Sequence, residues 1–258
     1  MSNVRYTLAG GAATLTLARP DRGNALDLPT VLDLLAAVRQ AHLDDARVVV
    51  LRADGRAFCV GGDVAAMIGA GQEHYIDDLA ETLHRAVSDL QQLDAIVVSV
   101  VQGVAAGAGV PLAAAADLVL AASSARFTLA YTKIGLSPDG GSSLLGASLG
   151  LHRALHLALL NPLLTAHEAQ AAGLVAQVHP NEELDAAASS VVAQLLAGSR
   201  DAQVAAKRLL RAQALPAPEA ALRRESVAIR TSAAGADGQE GIAAFLTKRP
   251  PVFPSSAA

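Results

Sequence analysis

The sequence predicts an α/β fold that ends in a helical region. Apolar strand-like runs alternate with helix patterns up to about Val178, the mark of successive βα units. From about Asn181 onward the pattern is almost wholly helical. Two glycine-rich segments each follow a strand-like run. Ala57-Phe58-Cys59-Val60-Gly61-Gly62-Asp63 comes after Val48–Leu51, and Gln102-Gly103-Val104-Ala105-Ala106-Gly107-Ala108-Gly109 after Ile96–Val101.

Element by element, Tyr6–Leu8 and Ala13–Leu17 flank Ala9-Gly10-Gly11-Ala12, a hairpin signal. Asp27 can cap a helix from Leu28 to about Ala41, with Pro29 in its first turn. Arg47–Arg52 reads as a buried strand, Val64–Ile68 as a short helix, and Gly69-Ala70-Gly71 as a break. Tyr75–Leu93 is a longer helix with Leu79, Leu83, Ala86, Val87 and Leu90 on one face. Ile96–Val101 is a strand, Gly109–Ala116 a small-residue helix, Asp117–Ala121 a strand and Ala125–Thr128 extended. After Ser137-Pro138-Asp139 a helix is expected over Gly140–Leu149, with Asp139 as its simplest N-cap, and Leu151–Leu160 continues helical. Thr165-Ala166-His167-Glu168 is a capping-box pattern whose helix stops at Gly173, followed by a short strand over Val175–Val178. The tail offers helices over Asp201–Ala214, Pro218–Thr231 and Gly238–Thr247, with Asp237 and Glu240 as caps for the last.

Composition narrows the function. A chain of 258 residues can bury a full core. Hydrophobic residues make up 52% and charged residues 17%, but much of the apolar excess is alanine. Net charge is -4 with no basic block, which argues against a nucleic-acid partner. The single cysteine, Cys59, excludes an intramolecular disulfide and points to no metal site. No charged-then-apolar leader pattern opens the chain, so the expected compartment is the cytoplasm. Ala95–Ala116 carries no charge and is long enough to span a bilayer, but Gln102, three glycines and Pro111 interrupt it. A strand, a glycine loop and a buried helix explain that stretch better.

The glycine segments suggest chemistry. Small residues let a ligand approach the backbone, and a turn that opens a helix leaves N–H groups without an internal partner. Two such turns side by side could aim two N–H groups at one oxygen and stabilise a developing enolate. A dinucleotide loop fits poorly: Leu112 stands where G-x-G-x-x-G needs its third glycine, and no acidic residue follows near Ala122–Phe127. Taken alone, Gly61-Gly62-Asp63 is a strand-to-helix turn with Asp63 as N-cap.

With their neighbours these segments resemble the crotonase superfamily, the enoyl-CoA hydratase/isomerase family. Arg19-Pro20-Asp21-Arg22-Gly23-Asn24-Ala25-Leu26-Asp27 resembles its early loop, and Ala57–Val64 resembles its A-F-C-A-G-x-D-L segment. Gln102–Leu112 resembles its N-G-x-A-x-G-G-G segment. Phe127–Gly141 and Phe245–Phe253 match in order, so the likeness covers nearly the whole chain. It implies a crotonase-like spiral of repeated ββα units over residues 1–198, with a helical region over 199–258 for oligomerisation and active-site capping. It further implies trimers or dimers of trimers and an acyl-CoA thioester substrate. Coenzyme A would enter as part of the substrate, with no further cofactor and no metal required.

By the same resemblance, Gly62 and Ala108 supply the two thioester-binding N–H groups. Arg22, Ala25, Phe58, Val60, Gly61, Asp63, Gly107, Gly109, Tyr131, Phe245 and Lys248 match positions that line the substrate and CoA site. Hydratases of the family carry two glutamates where this chain has Pro111 and Tyr131. Proline moves no proton, and a phenol is a poor base at neutral pH. Gly135-Leu136-Ser137-Pro138-Asp139-Gly140-Gly141 resembles instead the segment of ring-1,2-epoxyphenylacetyl-CoA isomerases and related enoyl-CoA isomerases, whose aspartate shuttles a proton. One carboxylate suffices for that task.

The expectation is therefore double-bond isomerisation with Asp139 as proton carrier. A hydratase with another acid/base arrangement and a non-catalytic acyl-CoA-binding homologue remain the alternatives. Cys59 reads as a small buried hydrophobe. His74, Tyr75 and His84 fall on the helix bordering the expected acyl pocket, where surface or core placement accounts for each. Ser137 and the histidines make no recognisable triad.

Overall fold

The computed structural model describes residues 2–69 and 72–257. Its strands are β1 (Val4–Ala9), β2 (Ala12–Leu17), β3 (Val48–Ala53), β4 (Ala57–Cys59), β5 (Ile96–Val101), β6 (Val104–Ala106), β7 (Leu118–Ala122), β8 (Arg126–Thr128), β9 (Leu164–Thr165) and β10 (Gln177–His179). Its helices are α1 (Leu28–Leu43), α2 (Val64–Gly69), α3 (Gln72–Gln92), α4 (Gly109–Ala114), α5 (Gly146–Leu149) and α6 (Leu151–Leu160). They continue with α7 (Ala166–Ala171), α8 (Leu184–Ala197), α9 (Arg200–Ala214), α10 (Pro218–Ala234) and α11 (Ala236–Leu246).

Two sheets share the work. The larger has the order β1-β2-β3-β5-β7-β10; β1 and β2 form the antiparallel hairpin and the other neighbours run parallel. Its central strands are valine-rich runs buried on both faces, as a parallel sheet covered by helices requires. The smaller has the order β4-β6-β8-β9 and stacks the two glycine segments side by side, because β4 and β6 pair in parallel immediately before them. The chain passes from one sheet to the other within each turn of the spiral: β3 to β4, β5 to β6, β7 to β8.

Local signals explain most element ends. The Asp27 side chain accepts from Thr30 N and caps α1. Thr165 and Glu168 form the full capping box of α7. The stretch tested as a membrane span is β5, β6 and α4, and no described helix is long and apolar enough to cross a membrane. The break expected at Gly69-Ala70-Gly71 lies partly outside the described residues.

Two expectations fail for physical reasons. No regular helix begins at Gly140, because Gly140 and Gly141 adopt φ of +70° and +97°. A 3-10 turn over Ser142–Leu145 precedes the short α5 instead. Asp139 therefore caps nothing with its side chain. Asp237 and Glu240 do not cap α11 either; Asp237 bonds Ser255, and Glu240 pairs with Arg249.

The C-terminal helices are fixed to the core by polar contacts as well as packing. From α9, the buried Lys207 ammonium lies 2.9 Å from Asp117 and donates to Ala95 O. From α10, Glu225 reaches the loop at Gly141 and Ser143. Gly103, between β5 and β6, is packed so closely that a Cβ there would overlap Arg56 O, whereas a Cβ at Gly146 meets nothing within 4 Å. Gly103→Ala is expected to cost about 2 kcal/mol and to lower Tm by roughly 5 °C. Gly146→Ala is expected to leave Tm unchanged or raise it slightly, and differential scanning calorimetry of the two variants checks the pair.

Candidate active site

The two glycine segments meet. Gly61 has φ +95° and Gly107 φ +52°, so each turns sharply where its strand ends. A Cβ on Gly61 would lie 3.0 Å from Ala106 O and 3.4 Å from Ala108 N. A Cβ on Gly109 would overlap Cys59 O. The backbones thus touch at distances only glycine permits. Leu26 secures the first turn, accepting from Asp63 N and donating to Gly61 O. Among the described residues, neither the Gly62 N–H nor the Ala108 N–H donates to a backbone acceptor. Ala108 sits at φ −60°, a conformation that any residue adopts, so the alanine costs the turn nothing.

The early loop braces this arrangement. Arg19 pairs with Asp27 at 2.9 Å and Asp63 at 3.4 Å, and donates to Ala25 O at 2.7 Å. Asn24 is buried with φ +57°; its side chain donates to Asp54 O and Ala57 O and accepts from Arg19 N. Asp63 also accepts from Ala66 N at the start of α2, so the simple capping role read from the sequence is present.

Both turns open onto a cavity of about 530 Å³. Arg22, Ala25, Val60, Gly61, Gly62, Asp63, Gly107, Ala108, Tyr131, Asp139 and Phe245 line it. Phe58 does not: at 0% exposure it belongs to the core beneath β4. Gly109 lies under the floor, against Cys59, where its smallness lets the turns approach. Lys248, beyond the end of α11, is exposed and outside the lining. The apolar wall was not foreseen: Ile76, Leu79 and Leu83 come from α3, Leu136 from the loop before Asp139, and Ile229 from α10. Lys133 adds a cation at the wall.

Asp139 stands at 7% exposure where the P-D-G-G loop meets Ala108; a Cβ on Gly140 would lie 3.2 Å from the Ala108 methyl. Its backbone carbonyl accepts from Tyr131 OH at 3.0 Å and from Ser142 Oγ at 2.7 Å. Burial, then the charges of Asp139 and Glu225, push the Tyr131 phenol well above its usual range, so it stays protonated. Burial likewise pushes the Cys59 thiol up to about 12. Pro111 faces a separate cavity of about 360 Å³ behind the loop, away from the glycine turns.

His84 and Glu225 are the residues that sequence reasoning missed. His84 Nε2 lies 2.9 Å from Asp139 Oδ1 and 3.5 Å from Glu225 Oε2. The Asp139 contact is ionic and off the hydrogen-bond axis, which leaves Oδ1 without an aligned donor. Glu225 Oε2 accepts from Gly141 N and Oε1 from Ser143 N. Burial pulls the His84 pKa down, but Asp139 and Glu225 outweigh it and raise it to about 9. His84 is buried, which is the core arm of what was expected of it, but it sits there in a cluster of charged groups. Tyr75 is structural, accepting from Leu28 N, and the His74 side chain lies outside the described ones. The three side chains His84, Asp139 and Glu225 carry ligand atoms within 4.8 Å of one another, as a metal site would. Both Glu225 oxygens are already committed to backbone N–H groups, so the donor set suits an ion-pair cluster better.

A family model described as enoyl-CoA hydratase/isomerase matches residues 7–256. The chain belongs to the enoyl-CoA hydratase/isomerase family. Among similar proteins of this family is one named "Probable enoyl-CoA hydratase" from Rhodobacter capsulatus, 37% identical over 97% of both chains. A 1,2-epoxyphenylacetyl-CoA isomerase from Escherichia coli is 34% identical over 94% of this chain and 95% of its own. A solved enoyl-CoA hydratase from Mycobacterium avium subsp. paratuberculosis superposes with TM-score 0.87 at 37% identity, covering 94% of this chain and 98% of that one. Family membership and the crotonase fold are thus established.

The His84 pair makes stability pH-dependent. A raised folded-state pKa adds stability that is fully present below the unfolded value of 6.5 and lost as pH rises through about 9. The effect is at most on the order of 3 kcal/mol. The Tm gap between wild type and His84→Gln is expected to shrink between pH 6 and pH 10, as followed by thermal melts.

Proposed function

We propose that this family member isomerises the double bond of an enoyl-CoA thioester. The observation that carries the reading is the position of Asp139: a carboxylate at the cavity wall beside the Ala108 turn. Pro111, at one hydratase glutamate position, faces elsewhere, and Tyr131, at the other, is held in its protonated form.

The steps balance with one base. The Asp139 carboxylate takes a proton from C2 of a 3-enoyl thioester. The C–H electrons form the C1=C2 bond, and the thioester oxygen becomes the enolate oxygen. The Gly62 and Ala108 N–H groups stabilise that charge, each by about 3 kcal/mol. Asp139 then returns the proton to C4, and the double bond shifts from C3=C4 to C2=C3. The wall formed by Ile76, Leu79, Leu83, Leu136 and Ile229 favours an apolar acyl group. Arg22 and Lys133 supply positive charge for the CoA phosphates. Self-assembly belongs to this reading: α6 exposes Leu151, Leu155 and Leu159 at intervals of four residues.

Purified protein is assayed with 3-enoyl-CoA and 2-enoyl-CoA, beside Asp139→Asn. Conversion of the 3-enoyl substrate is expected, with kcat reduced about a hundredfold or more in the variant. An unaffected variant would sink the Asp139 assignment. Rapid hydration of the 2-enoyl substrate would replace isomerisation with the hydratase reading, and CoA binding without turnover with a binding role.

A further inference from the structure

We infer that His84, anchored by Glu225, is a positioning residue: a buried cation that keeps Asp139 ionised and in place beside the glycine turns. This rests on the reading of Asp139 as the proton carrier.

The charges that face the ring argue for the cation. His84 Nε2 faces two carboxylates, at 2.9 Å and 3.5 Å, which only an N–H can satisfy. On the other side, Nδ1 lies 3.0 Å from Ser226 Oγ. That hydroxyl also lies 3.5 Å from Leu222 O, which takes its hydrogen when Nδ1 donates. A ring nitrogen set against two buried carboxylates favours the imidazolium form. All three charged groups are nearly closed off from solvent, His84 at 6%, Asp139 at 7% and Glu225 at 5% exposure.

The charge count shows what the cation does. With His84 protonated, the cluster holds two negative charges and one positive. Without it, two carboxylates would face each other within 4.8 Å in a dry site, where like charges disfavour ionisation of both. Glu225 has two backbone N–H donors, from Gly141 and Ser143. Asp139 Oδ1 has no aligned donor. The proton therefore goes to Asp139 and disables it as a base.

The groups facing this cluster come from several elements. Asp139 is on the loop after Leu136, and Glu225 and Ser226 are on α10. Beyond Asp139 stand Tyr131, whose hydroxyl bonds the Asp139 carbonyl, and Cys59 at the end of β4. Burial keeps both of these protonated through the working pH range. Because Glu225 and Ser226 are neighbours on α10, seating that helix places the anchor and the imidazole together. The C-terminal region thereby reaches the reacting carboxylate without touching substrate itself through Glu225.

The test is the pH profile of kcat/KM for 3-enoyl-CoA in wild type, His84→Gln and His84→Gln/Glu225→Gln. In His84→Gln the acid limb is expected to move up by at least one pH unit, with the high-pH plateau kept within tenfold. The double variant removes the competing charge and is expected to bring the limb back to the wild-type position or below. A lowered plateau with an unmoved limb, or a limb still raised in the double variant, would overturn the proposal. A second readout needs no turnover: nitrogen-15 NMR of the whole protein should show the His84 ring protonated at pH 7.5. A neutral ring there would overturn the proposal as well. If Asp139→Asn keeps full activity while the ring is protonated, the fault lies with the isomerase reading rather than with the cluster.

Discussion

The contact between the peptide turns at Gly61 and Gly107 sets the geometry of everything around it. Parallel pairing of β4 with β6 brings the turns together, and Gly109 against Cys59 O fixes how close they come. That approach leaves the Gly62 and Ala108 amides at the mouth of one cavity. Larger side chains would push the strands apart, and amide donors misplaced by even an ångström lose much of their effect on a developing charge. The half-buried Arg19–Asp27–Asp63 contacts and the Asn24 hydrogen bonds hold the early loop against the first turn. The spiral of strands and helices is, in this sense, a frame for a few ångströms of backbone.

The proposed reaction needs a proton carrier beside the two amides, and a buried carboxylate is unstable as a charge unless something pays its desolvation. Here the compensation comes from distant parts of the chain. His84 on α3 and Glu225 on α10 converge on the loop at Asp139, and Glu225 also ties down the backbone at Gly141 and Ser143. The loop glycines at positive φ turn the chain so that Asp139 faces the cavity while its carbonyl is taken by Tyr131 and Ser142. Tyr131 thus supports the loop through its hydroxyl.

Much of this was legible in the sequence, and the limits have physical causes. The hairpin, α1 with its Asp27 cap, β5, α6 and the α7 capping box follow local rules and lie close to where those rules place them. The glycine segments were legible because close backbone approach demands small residues in a recognisable order. Local rules failed over residues 140–145, where two left-handed glycines delay the expected helix to α5. They failed again at Phe58, whose place in the motif says nothing of which way its ring points. The His84–Asp139–Glu225 cluster was invisible for a different reason. Its members lie far apart in sequence, and a histidine and a glutamate on amphipathic helices look like any solvated pair until the tertiary fold joins them.

The central claim is that one oxygen, two amides and one carboxylate share a site. A crystal structure of the Asp139→Asn protein with a 3-enoyl-CoA bound tests it most directly. The account predicts the thioester oxygen within about 2.7–3.2 Å of both Gly62 N and Ala108 N, with the residue 139 side chain against C2 and C4. A thioester oxygen bound away from either amide, or a different ionisable group nearest those carbons, would contradict it.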